Sequence, residues 1–133
     1  MPSKLATTIA LLLGLAALAN GVFMTIVPET WYWLAPGVSE RGPFNQHFLR
    51  DIGMNYCLIG AAFVGGALYQ THRRVLWLVP TAWLVGHAVF HVWEVQVGIC
   101  GPASLTQDFA GVTLPALVAL SLVCFGCKAP PAS

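Results

Sequence analysis

The stretch VLWLVPTAWLVGHAVFHVWEVQV, residues 75–97, contains only one Asp, Glu, Lys or Arg, namely Glu94. About 20 apolar residues in a helix cross the hydrocarbon core of a bilayer, and this run is long enough to do so. Pro80 here, like Gly65, Gly66 and Pro115 in the runs below, would weaken a soluble helix, but lipid-embedded helices tolerate them. The same reading carried outward finds three more apolar runs, at 5–27, 48–70 and 108–126, whose charged residues lie at their ends. The connections after the second and third runs are short, with Gly101-Pro102 marking a turn. The sequence therefore predicts an all-α fold in one domain, 1–133: an integral membrane up-down bundle of four transmembrane helices.

Composition points the same way. Of 133 residues 8% are charged and 57% are hydrophobic, whereas an average soluble domain is about 25% charged. The net charge of +1 excludes a basic nucleic-acid binder, and the apolar content excludes a disordered tail. Lys4, the apolar run from Ile9 and the small residues Ala17-Leu18-Ala19 also fit a cleavable signal peptide. The run continues to Val27, which favours an uncleaved span. Lys4, Arg73, Arg74 and Lys128 fall on the side of the termini, against Arg41 and Arg50 on the other. This bias predicts cytoplasmic termini in a bacterial inner membrane. The acids Glu29, Glu40, Asp51, Glu94 and Asp108 then lie at or near the outer face.

The loop 28–46 holds Trp31, Tyr32, Trp33 and Leu34. Such rings settle at the headgroup level, so the loop is expected to lie in the interface, over the outer end of the bundle. Below it, His87, His91 and Glu94 are spaced i, i+4, i+7 and share one helical face. Ionisable groups inside membrane segments tend to face the bundle interior and to mark cofactor, ion or proton sites. The second helix enters from the same side with His47, Arg50 and Asp51, and Asn55 lies one turn deeper. The expected ligand-binding cluster is therefore His47, Arg50, Asp51, Asn55, His87, His91 and Glu94, with Arg50 and Asp51 meeting Glu94 and His91. Gln107 and Asp108 open the fourth helix nearby.

Two imidazoles and a carboxylate match the ligand chemistry of Zn, Fe, Cu or Mn, so His87, His91 and Glu94 are candidate metal ligands, and haem is a further possibility. Ala88 stands where the zincin H-E-x-x-H pattern requires Glu. Arg50 would repel a cation and suits a quinone or a lipid headgroup instead. An ion-pair network that only fixes packing is the structural alternative. Cys124 and Cys127 form an isolated C-x-x-C. Cys57 reads as a small hydrophobe, and Cys100 stands alone on the outer side. Small residues, Ala10, Gly14, Ala17 and Gly21 in the first helix and Gly60, Ala61, Ala62, Gly65 and Gly66 in the second, permit close helix packing.

With NQHFLRDIG, residues 45–53, opening the second of four short hydrophobic helices, the chain resembles small bacterial four-helix membrane proteins of the DoxX-like group. The resemblance implies an inner-membrane subunit, some members of the group being associated with quinol oxidation or thiol redox partners. It carries no catalytic residue over to this sequence. The expected function is an accessory or quinone-binding subunit of a membrane redox system, partnered by the bilayer and by an oxidoreductase or further copies of the chain. Two alternatives are a membrane enzyme using His87, His91 and Glu94 as metal ligands or as acid and base, and a small oligomeric carrier.

Overall fold

Pro28 has no amide hydrogen with which to extend a helix, and the first span stops just ahead of it. In the computed structural model, which describes residues 4–126, α1 (Lys4–Ile26) gives way at Val27 to the short α2 (Pro28–Leu34). Asn45 caps α3 (Gln46–Leu68), its side-chain oxygen accepting from the Phe48 amide at 3.1 Å. A 3-10 turn leads into α4 (Arg73–Gln96), and the chain returns through α5 (Ala103–Asp108), a π-helical turn (Phe109–Thr113) and α6 (Leu114–Gly126). No strand occurs among the described residues.

Four helical segments are long and apolar enough to cross a membrane: Lys4–Ile26, Gln46–Leu68, Gln70–Gln96 and Ala103–Gly126. The expected spans are therefore present. The fourth begins earlier than 108, because helical turns start directly after Gly101-Pro102. Helix α1 packs on α3, α3 on α4, α4 on α6 and α6 on α1, while the backbones of the diagonal pairs stay apart and Arg73 Nη2 of α4 reaches across to Thr7 Oγ1 of α1 at 3.4 Å. The chain is thus a ring of four antiparallel helices, and it reads as a multi-pass membrane protein.

Glycines set the tightest of these contacts. Gly14 faces Gly60 and Gly21 faces Gly53, each pair seven residues from the next along both helices. A methyl group at Gly60 would lie 2.5 Å from the Gly14 carbonyl oxygen, and one at Gly21 would lie 2.5 Å from that of Gly53. Backbones this close gain van der Waals contact that larger side chains would forbid, a principal source of helix association in lipid. Across the ring, Trp77 is fully buried with Phe63, and its indole N–H donates to the Phe63 carbonyl at 3.1 Å. Gly66 leaves the room that this ring fills.

Arg73, counted from the sequence only for its charge, is built into the bundle. It is 4% exposed, donates from Nε to the Gly66 carbonyl at 2.8 Å and from Nη2 to that of Ala67 at 3.1 Å, and lies 4.8 Å above the Trp77 ring. The last carbonyls of α3 have no partner within their own helix, and the guanidinium supplies one. His72 and Arg74 on either side of it are exposed.

The aromatic segment is tied down at both faces. The Trp31 indole donates to Asn20 Oδ1 at 2.8 Å, and the buried Tyr32 donates its hydroxyl to the Gly42 carbonyl at 2.7 Å. Trp33 and Leu34 are left exposed on the other side, at a level where lipid headgroups would meet them. Trp31→Phe removes the donor and leaves Asn20 with a single weak sulfur partner, so a loss of about 1 kcal/mol is expected. Thermal unfolding in detergent checks this against Trp33→Phe, which should unfold like the wild type.

Candidate functional site

The i, i+4, i+7 stripe on α4 brings His87, His91 and Glu94 to one half-buried face near its C-terminal end. Opposite stands Asp108, the last residue of α5 and only 7% exposed. His91 Nδ1 lies 2.7 Å from Asp108 Oδ2, and Arg41 Nη1 donates to Asp108 Oδ1 at 2.8 Å. Glu94 Oε2 is 3.9 Å from His91 Nδ1, close enough to act on a charged ring but too far for a hydrogen bond. A buried carboxylate is tolerated only when it is paired and hydrogen-bonded, and here both of its oxygens are engaged.

Two local features deliver these groups. Asp108 is followed by the π-helical turn, in which the Leu114 amide bonds back five residues to the Phe109 carbonyl. Pro115 sits just downstream and cannot donate, and its ring crowds the carbonyl of Gly111 four residues earlier. The turn widens there instead of closing as an α-helix, and such π-turns recur at functional sites. Arg41 arrives from the loop between α2 and α3. That loop turns at Gly37, whose φ of 72° suits glycine, and packs onto Gln107: a methyl group at Gly37 would meet Gln107 Oε1 at 2.5 Å. The aromatic loop therefore closes over this end of the bundle, with Arg41–Asp108 as its clasp.

The hydrogen bond fixes the chemistry of the imidazole. An ionised carboxylate only accepts, so Nδ1 carries the hydrogen and Nε2 is the basic nitrogen of a neutral ring. Deeper in the bundle, the His87 ring meets His91 edge-on at 4.6 Å, Trp83 stacks on His87 at 4.9 Å, and Tyr56 of α3 meets Trp83 edge-on at 5.5 Å. A continuous aromatic column thus leads from the polar end into the apolar interior. Arg41 Nη2 is buried and makes no hydrogen bond among the described residues.

Only part of the expected cluster converges. His47 and Asp51 pair with each other at 3.3 Å on the exposed face of α3, and Arg50 donates from Nε to the Thr25 carbonyl at 3.1 Å. Asn55 is half-buried on α3. The anticipated meetings of Arg50 with Glu94 and of Asp51 with His91 are not formed. Gly53 and Gly60 must face α1, and that orientation turns the charged first turns of α3 towards the interface and towards the end of α1. Asp108 takes the place expected of Asp51, and Arg41 that of Arg50. The position of Asp108 at the start of the fourth span was a usable signal. Arg41, in a loop, carried none.

Among the described residues no three His, Cys, Asp or Glu side chains gather as they would around a metal ion. His87, His91 and Glu94 share a face, but Nδ1 of His91 is committed to Asp108. Cys57, Cys100 and Cys124 form no disulfide among the described residues, and Cys127 of the C-x-x-C lies outside them. No protein family, curated protein or solved structure matches the chain.

Proposed function

We propose that this four-span membrane protein is an accessory, quinone-binding subunit of a membrane redox system, and that the polar end of the bundle is its ligand site. The observation that carries the reading is the Arg41–Asp108–His91 relay around the buried Asp108, with an uncommitted donor at Arg41 Nη2 and a basic nitrogen at His91 Nε2. A quinone carbonyl accepts from a guanidinium, and the hydroxyl of its reduced form donates to an imidazole. The aromatic column through His87 and Trp83 suits a flat conjugated ring entering from the lipid side. A bacterial inner membrane, cytoplasmic termini and kinship with the DoxX-like group belong to the same proposal.

Titration of the detergent-purified protein with a short-chain benzoquinone tests it, because Trp83 should report binding by quenching. Saturable quenching is expected, weakened about tenfold in His91→Ala and in Arg41→Gln, the loss of one hydrogen bond to a charged group. Absence of saturable quenching, or unchanged affinity in both variants, would overturn the reading. The orienting of His91 by a carboxylate also favours a second reading, a membrane enzyme with His91 as general base. Elemental analysis and an optical spectrum of wild type beside His87→Ala/His91→Ala separate the two. A stoichiometric metal or haem lost in the variant would move the assignment to a metalloenzyme.

A further inference from the structure

A cleft of about 280 Å³ opens at the same end of the bundle but on a different face, between the bend at Val27 and Pro28 and the start of α3. Glu29, Thr30, Phe44, Gln46 and Arg50 line it. Its distinguishing property is that it holds opposite charges that do not satisfy each other. Glu29 and Arg50 are both exposed and make no ion pair, and among the described residues Glu29 has no hydrogen-bonding partner. Arg50 is anchored through Nε by the Thr25 carbonyl, which fixes the plane of the guanidinium and leaves both terminal nitrogens without a partner among the described residues. Asp51, the nearest acid in sequence, is turned to His47 instead.

The surroundings specify what kind of molecule would bring both missing charges. The cleft lies where the apolar spans of α1 and α3 end, the depth at which headgroups meet a membrane protein. Ile26, which precedes the bend, and Phe48, between Gln46 and Arg50 in sequence, are largely exposed, an apolar flank suited to acyl chains. We infer that the cleft seats the headgroup of an aminophospholipid, its phosphate on the terminal nitrogens of Arg50 and its primary ammonium on the Glu29 carboxylate. An arginine fork matches phosphate oxygens in pairs. A purely anionic headgroup would satisfy Arg50 but face the carboxylate of Glu29. A choline headgroup has no N–H to donate to that carboxylate and would be left with the ring of Phe44. Inorganic phosphate lacks the cation altogether. The inference does not depend on the quinone reading, since none of these residues belongs to the relay at Asp108.

Native mass spectrometry of the full-length, delipidated protein tests it with equal amounts of dioleoyl phosphatidylethanolamine, phosphatidylcholine and phosphatidylglycerol. The ethanolamine lipid should be retained preferentially, and Glu29→Gln and Arg50→Gln should each reduce its retention about tenfold. Arg50→Lys should keep part of it, because a point charge survives without the fork. Both side chains are exposed, so unfolding in lipid-free detergent should match the wild type, and a variant that fails this control is replaced by Glu29→Ala or Arg50→Ala. Equal retention of the three lipids, displacement by inorganic phosphate, or a phosphatidylglycerol preference that survives Glu29→Gln would overturn the inference. So would ethanolamine-lipid retention unchanged in both charge-removing variants.

Discussion

Asp108→Ala is expected to unfold in detergent with about 3 kcal/mol less stability than the wild type. The carboxylate is buried and holds Arg41 at 2.8 Å and His91 at 2.7 Å, so its removal strands a guanidinium beneath the loop and releases the imidazole. Arg41 is itself 21% exposed, and this partial contact with solvent keeps the loss at the lower end of the range for buried pairs. The test is a double-variant cycle. Arg41→Met/Asp108→Leu should recover most of what Asp108→Ala loses, since an apolar pair of similar volume carries no desolvation penalty. If Asp108→Ala unfolds at the wild-type midpoint, the clasp contributes nothing to stability. Asp108→Asn then divides structure from chemistry: its amide oxygen still accepts from Arg41, but His91 loses the acceptor that sets its tautomer. Stability close to wild type with weakened quinone binding is the expected pattern.

Gly60→Val should cost about 3 kcal/mol, the upper part of the range for forcing extra methyl groups into a filled interface. The first added carbon already falls 2.5 Å from the Gly14 backbone oxygen, and a backbone cannot rotate aside as a side chain can. Helices α1 and α3 must therefore separate, losing contact along the seam. Gly86→Ala is the matched control. Nothing lies within 4 Å of its added methyl, so only the backbone effect remains, a gain of about 0.5–1 kcal/mol in a helix interior. A Gly60→Val variant that unfolds at the wild-type midpoint would show that the seam does not govern stability.

The fold was legible because its signal is coarse. Four uncharged apolar runs of membrane-crossing length leave few alternatives, and hydrogen-bonding constraints in lipid make each of them a helix. Half of the site was legible for a similar reason: three ionisable residues on one helical stripe must avoid lipid, so His87, His91 and Glu94 could be placed inward from spacing alone. Helix α3 resisted this logic. His47, Arg50 and Asp51 lie in its first turns, where headgroups and water relieve the cost of charge, and polarity there does not say which way a side chain faces. The direction was set by Gly53, whose significance comes from the partner glycine on α1. Arg41 was hidden more completely. A loop residue thirteen positions past Pro28 has no periodicity, and only the closure of the loop over Gln107 brings it to Asp108.

The π-helical turn after Asp108 has an evolutionary reading. A turn closed by a bond five residues back, where an α-helix closes after four, is what results when one residue is inserted into a helix whose ends are held in place. Each residue advances an α-helix by about 100°, so a homologous chain one residue shorter between 109 and 113 would carry its carboxylate on another face, out of reach of His91. A single-position gap at that point, in an otherwise alignable relative, would therefore mark a lineage in which the four spans persist but the His–Asp dyad was never assembled or has been lost.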